Sequence, residues 1–384
     1  KIMSRPIYLD YMSTTPVAAE VIETMQGCLG VEGVFGNPAS KTHVYGEAAY
    51  NLVDKARQDV AALINADKRE IVFTSGATEA DNLALIGAAR FHARSGKHII
   101  TLKTEHKAVL DACAYLSSEG YDIDYLDVNS DGLVNISDLE NAIRPDTILV
   151  SVMHVNNETG AIQDIARIGA LARKRGVLFH VDAAQSAGKI PIDVQSMSVD
   201  LLSLSAHKIY GPKGIGALYV CRKPRVRLEP LIHGGGHEWG LRSGTLSTHQ
   251  IVGMGCAFSL AQKVMQDDSQ RIKEMSNEIF QALDAVPSVV LHGAKGEQYR
   301  YLGCFNFRVN GFNAETLMAH FSDFAISQGA ACNATQTTPS HVLLAMGCTA
   351  SEASSSVRIS IGRYTNESAI QIFVDKVRQL LLQL

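Results

Sequence analysis

No uninterrupted apolar run in this sequence approaches the ~18 residues that a membrane-spanning helix needs, so the expectation is a chain without membrane segments. There is no surplus of positive charge either. Lys and Arg number 35 against 39 Asp and Glu, a formal charge of −4, and this excludes the basic stripe that marks nucleic acid as a direct partner. Cysteine pairing is also missing. The seven cysteines (Cys28, Cys113, Cys221, Cys256, Cys304, Cys332 and Cys348) are odd in number, and none stands in C-x-x-C spacing. That argues against a disulfide framework and against a zinc site, so no metal is expected. The opening residues KIMSRPIYLDYMSTTP lack the apolar centre of a signal peptide, and a reducing cytoplasm fits. Internal repeats and low-complexity tracts are absent.

What the chain does have is a large stock of core-forming residues, 46% hydrophobic with 19% charged over 384 positions. That suffices for two domains, or for one large domain with an appendage. Strand-like runs at 71–75, 98–102, 123–128, 147–155, 177–183, 201–205 and 217–221 alternate with helical periodicity, for instance at 47–64 and 80–93. This rhythm predicts an α/β fold with a mostly parallel sheet. After about 255 it changes to a long charged helix (256–286), isolated strands at 304–309 and 357–361, and a final helix at 367–384. The expected division is therefore a large domain over 17–255, with 1–16 and 256–384 forming a smaller α+β domain.

The chemistry gathers at strand ends. The run LLSLS at 201–205 reads as a buried strand, and Lys208 follows it into a glycine-rich loop. Open α/β sheets place ligands at this edge. A second strand, VLFHVDA, ends at Asp182, with Gln185 just beyond. A lysine and an aspartate on two strand ends match what pyridoxal phosphate asks for: an amine for its aldehyde and a carboxylate for its ring nitrogen. In IVFTSGATEAD, Ala77 and Thr78 open a helix whose first amides face a phosphate, although an ordinary capped helix with Glu79 and Asp81 on its dipole explains the same residues. His106 follows the strand at 98–102 and can stack on a planar ring and move protons. Asn157 ends another strand. Arg358, in VRISIGR, offers a guanidinium fork to a carboxylate.

DVNSDGLVNISD (127–138) fits the first half of a calcium loop, but position twelve is Asp138 rather than Glu and a strand precedes it, so a turn is the expected reading. Cys332 lies in SQGAACNATQTTPS, among small and polar residues that cannot pack a core, which marks it as a reactive thiol. Cys348 reads as structural.

Taken together, YLDYMSTTP, FGNPAS, FTSGATEADNLA, KTEHKAV, HVNNETG, HVDAAQS, SAHKIYGPKGIGALYV, HGGGHE, RSGT and SVRISIGR resemble, in order and along nearly the whole chain, the cysteine desulfurases of the NifS/IscS-like branch of the class-V PLP-dependent aminotransferases. The resemblance implies fold type I of the PLP enzymes (the aspartate-aminotransferase type) and a homodimer with active sites at the subunit boundary. It assigns Lys208 to the cofactor aldehyde and Asp182 to the pyridine nitrogen. His106 becomes the stacking ring and acid/base, and Gln185 the contact to the ring hydroxyl. Ala77, Thr78, Ser205 and His207 would hold the phosphate, with Thr245 reaching it from the other subunit. Asn157 touches both cofactor and substrate, Arg358 grips the substrate carboxylate, and Cys332 carries the persulfide. L-cysteine would become L-alanine, and the sulfur would pass to an acceptor protein for iron–sulfur cluster assembly, tRNA thiolation or DNA phosphorothioation. Two features depart from the family pattern. Gln328, Ala330 and Asn333 replace hydroxyl residues around the thiol, and the chain ends at Leu384 without the longer tail that docks a scaffold. Alternatives on the same residues are a selenocysteine lyase, an aminotransferase indifferent to Cys332, or a PLP-free binding protein.

Overall fold

The computed structural model describes residues 5–328 and 338–380. Short apolar runs become strands wherever both faces can be covered. The chain lays down β1 (Ile7–Tyr8), β2 (Ile71–Thr74), β3 (His98–Leu102), β4 (Asp122–Leu126), β5 (Thr147–Met153), β6 (Leu178–Asp182), β7 (Leu201–Ser205) and β8 (Gly216–Val220). Strands β2 to β8 form one sheet in the order β2-β8-β7-β6-β5-β3-β4. Every neighbouring pair from β7 to β4 is parallel, while β8 runs antiparallel to both β7 and β2. Every residue of β5 and β7 is buried, as expected of strands sandwiched between helices.

The helices between them are α1 (Ala19–Gln26), α2 (Val44–Leu63), α3 (Ala77–Phe91), α4 (Lys107–Ser118), α5 (Ile136–Ala142) and α6 (Ile165–Arg175). Local signals set their ends. In α6 the Asp164 carboxylate accepts the amide of Arg167, Arg173 to Arg175 complete the last turn, and Gly176 closes it at φ 67°, a conformation that favours glycine.

Helix α7 (Thr248–Asp284) begins eight residues earlier than its sequence pattern predicts. Gly253 and Gly255 lie inside this helix as packing positions. A Cβ on Gly255 would lie 2.6 Å from Cα of Ala56, so the missing side chain lets α7 press directly on α2. Beyond α7 come β9 (Val289–Leu291), β10 (Cys304–Val309), α8 (Ala314–His320), β11 (Phe324–Ala325), α9 (His341–Ala345), α10 (Ala350–Ser354), β12 (Val357–Ser360) and α11 (Glu367–Gln379). A second sheet has the order β12-β10-β9, and β1 pairs in parallel with β11.

Two main apolar cores result. The larger packs both faces of the seven-stranded sheet, and the smaller gathers Phe305, Phe307, Phe321 and Phe373 with α7 and α11. Helix α7 serves both, with Met254 and Phe258 in the first and Ile272 and Ile279 in the second. The amino-terminal segment crosses between them: Leu9 is in the smaller core and Tyr11 in the larger. The calcium-like segment is a turn in which the side chain of Asn129 accepts the amides of Asp131 and Leu133, while Asp127 pairs with Lys103 at 2.6 Å. Among the described residues no helix is long and apolar enough to cross a membrane.

Candidate active site

The carboxyl ends of β5, β6 and β7, together with the N-terminus of α3, enclose a cavity of about 390 Å³. Ala77, Thr78, His106, Asn157, Asp182, Gln185, Ser205, His207, Lys208 and Arg358 all line it. Thr245 does not; it is exposed and stands outside the cavity of its own chain. Cys332 lies outside the described residues, as do Ala330 and Asn333, while Gln328 donates to the carbonyl of Ser354 at 3.2 Å.

Lys208 leaves β7 by three residues, and its amine donates to the carbonyl oxygens of Met12 (2.6 Å) and Ser13 (2.7 Å). Those two carbonyls come from the amino-terminal segment, which the sequence patterns left unconnected to the site. Gln185 shares the first of them, its side-chain amide donating to Met12 O at 2.8 Å. Asp182 is the last residue of β6 and 4% exposed. One of its oxygens accepts the amide of Ala184 at 3.0 Å. Burial, with Asp81 close by, pushes its pKa up to about 6.

Asp81 is a residue the pattern under-read. On a dipole argument it is a surface acid of the first turns of α3, yet it is 1% exposed, lines the cavity, and leaves both side-chain oxygens without a hydrogen bond. Its neighbour is His180, 3.5 Å away on β6. A run of acids on an amphipathic helix does not tell which one turns inward.

His106 caps α4. Its Nδ1 accepts the amide of Ala108 at 3.1 Å, which leaves Nε2 as the nitrogen that can carry a proton outward. Burial, and after it the charge of Lys208, pushes the pKa of His207 down to about 4, so its ring is neutral, with Nδ1 3.0 Å from the hydroxyl of Thr14. At the phosphate end, a Cβ on Gly216 would fall 2.5 Å from Leu204 O and 2.7 Å from Gly76 C. Strand β8 therefore passes against the turn that opens α3, and the cradle beneath the helix N-terminus depends on the absent side chain.

Arg358 is 1% exposed and already engaged. It donates to the carbonyl of Asn157 (2.6 Å), to Asp10 (2.8 Å) and to Ser13 Oγ (2.6 Å), while its Nε is buried without a partner. Asp10 balances its charge, and a substrate carboxylate here would share the guanidinium with that acid.

The residues fit pyridoxal phosphate on their own terms. Two buried carboxylates, Asp81 and Asp182, flank a space that asks for positive charge, which a protonated pyridine supplies. The N-terminus of a fifteen-residue helix faces the same cavity and suits a phosphate.

The comparisons agree with this geometry. Residues 7–373 match the Aminotransferase class-V family. The chain is 56% identical over 376 residues to "Cysteine desulfurase IscS" of Tolumonas auensis, covering 98% of this chain and 93% of that protein. Among solved structures it is similar to a "NifS-like protein" (33% identity, TM-score 0.90, 99% of this chain and all of that one). It is also similar to "SspA in complex with cysteine" (40% identity, TM-score 0.81, 94% and 100%).

Proposed function

This chain belongs to the aminotransferase class-V family and is a pyridoxal-phosphate-dependent cysteine desulfurase of fold type I, and from that premise we propose how its own residues divide the work. The observation that carries the assignment is the meeting of Lys208, Asp182, His106 and Gln185 in one cavity at the strand ends.

Lys208 would be the amine for the cofactor aldehyde, and Asp182 would keep a proton at the pyridine nitrogen. His106 would stack on the ring, and Gln185 would meet its hydroxyl. Ala77, Thr78, Ser205 and His207 would hold the phosphate, joined by Thr245 of the partner subunit. When bound, the cofactor supplies a sink for the electrons left behind as the α-proton of L-cysteine departs. Lys208 removes that proton and returns one to carbon. Asn157 and Arg358 orient the substrate carboxylate, with Asp10 holding the guanidinium in place. Cys332 attacks the substrate sulfur: a carbon–sulfur bond breaks, a sulfur–sulfur bond forms, and carbon takes up hydrogen. Cysteine and the Cys332 thiol thus become alanine and a Cys332 persulfide with no outside oxidant. Thiolate attack needs a base or a lowered pKa, and His106, with a proton on Nε2, would supply the second by donating a hydrogen bond to the thiolate.

We infer a cytoplasmic homodimer with no membrane segment and no direct nucleic acid contact, passing sulfur to an acceptor protein, iron–sulfur cluster assembly being the favoured destination. Exposed apolar side chains between Leu29 and Tyr50, among them Val31, Phe35 and Val44, support the dimer. We divide the chain into two domains, 17–255 and 1–16 with 256–384; the two apolar cores support a division of this kind, while Tyr11 and Phe258 cross it to pack in the larger core.

The test records the visible spectrum of the purified protein, adds L-cysteine, and measures alanine and sulfide with and without a thiol reductant. The expected result is a coloured protein that releases alanine in both cases and sulfide mainly with reductant. A preparation that stays colourless in excess pyridoxal phosphate overturns the reading.

A further inference from the structure

A second lysine stands behind the first. Lys189 follows β6 by seven residues, and its amine donates to the side-chain oxygen of Gln185 at 2.7 Å. It also lies 3.6 Å from Met12 Sδ and 5.4 Å from the centroid of the Tyr301 ring. The other end of the Gln185 amide donates to Met12 O, the same carbonyl that receives Lys208. A continuous relay thus runs from Lys189 through Gln185 and the Met12 carbonyl to the reactive amine.

The groups around Lys189 do not neutralise it. Lys208 and Arg358 are cations. Cys304 and Tyr301 are buried, with pKa values pushed up (Cys304 to about 11), so both are neutral at pH 7. Asp268, on α7 in the small cavity that Lys189 also lines, is spent on Arg363 at 2.7 Å. Arg300, in the adjoining cleft, adds further positive charge. Burial, and after it the charge of Lys208, brings the pKa of Lys189 down to about 7.

We propose that Lys189 is a positioning residue for the desulfurase reaction: it turns the oxygen of the Gln185 amide inward, presents the amide NH2 as a donor toward the site, and disfavours a proton on the Lys208 nitrogen. Both effects act in one direction. A donor held toward the ring hydroxyl favours its ionised form and competes for the charge that would keep the Lys208 nitrogen protonated. A neighbouring cation in a poorly hydrated pocket opposes that proton directly. Lys208 is then kept ready to accept the α-proton.

The proposal rests on Lys208 as the cofactor-bearing amine, and the test separates the two. The holoenzyme, without cysteine, is titrated by visible absorbance to find the pH at which the bound cofactor's band changes. Lys189→Met is expected to raise that pH by about one unit, and Lys189→Arg, which keeps the charge and a donor, is expected to stay close to the wild-type value. Replacing a partly buried ammonium by an apolar chain of similar length relieves burial cost, so the Met variant is expected to fold and to bind the cofactor fully. As a second readout, the pH dependence of Lys208 reductive methylation in the cofactor-free protein, followed by mass spectrometry, is expected to move upward in the Met variant. A Met variant with full cofactor that titrates with the wild type, or an Arg variant that titrates with the Met variant, overturns the proposal. A Lys208→Ala protein that keeps the wild-type spectrum overturns the reading beneath it instead.

Discussion

Three histidines, His154, His207 and His292, are buried deeply enough that their pKa values fall to about 4, against an ordinary value of 6.5. The folded state therefore binds fewer protons than the unfolded chain between these limits. Their contribution to stability is present above about pH 6.5 and is lost as pH falls toward 4. Asp182 has the opposite sign: with a folded pKa of about 6, its burial cost grows as pH rises from about 4 to 6 in the cofactor-free protein. His154→Gln is expected to flatten the acid side of the stability curve and recover up to roughly 3 kcal/mol at pH 4. Denaturant melts at pH 7, 5.5 and 4.5 check this. Asp182→Asn keeps the shape but removes the carboxylate from the ring nitrogen, and kcat/KM for cysteine should fall at least ~100-fold with the fold intact. Legibility at this scale followed chemistry. Lys208, Asp182 and His106 stand out because a strand ends at Asp182 and within a few residues of the other two. Asp81 and the Met12 carbonyl do not, because an inward-turned acid on a helix and a backbone oxygen leave no mark in residue type.

Two junctions between elements decide whether the phosphate end is in place. Gly216 on β8 lies so close to the turn before α3 that Gly216→Ala must push backbone against backbone. Overpacking of this kind costs ~1–3 kcal/mol, and cofactor affinity should weaken at least ~10-fold in an equilibrium absorbance titration. The other junction ties the glycine-rich loop at 233–245 to the sheet. Glu238 in that loop makes two contacts of 2.7 Å to Arg57 on α2 and accepts the amide of Phe73. The Arg57 guanidinium lies 4.8 Å from each of the Phe73 and Trp239 rings. Glu238 and Trp239 hold φ of 50° and 55°, left-handed values that such residues adopt only when contacts impose them. Glu238→Ala leaves a buried guanidinium and an amide unpaired, and an unfolding titration is expected to show a loss of ~3–5 kcal/mol. The sequence displayed the glycines of this loop. It gave no sign that the neighbouring glutamate was the anchor, since the partner sits 181 residues away.

For the whole molecule, the alternation of patterns over 71–220 was enough to foresee one mostly parallel sheet, because a strand buried on both faces must be uniformly apolar. The antiparallel entry of β8 and the early start of α7 were not legible: the first depends on strand neighbours, and the second on glycines used for contact rather than for turning. The apolar side chains left exposed near α1 and α2 belong to this scale too. Val31 is 81% exposed and Phe35 51%. On the proposed homodimer, Val31→Asp together with Phe35→Asp is expected to shift the protein from dimer to monomer by light scattering and, by withdrawing Thr245 from the neighbouring copy, to lower cofactor retention. One more property follows from the two carbonyls on which Lys208 rests. They belong to a stretch that also stitches β1 to β11 and meets Arg358 through Ser13. A linker spliced between Met12 and Ser13 will therefore register as bleaching of the enzyme.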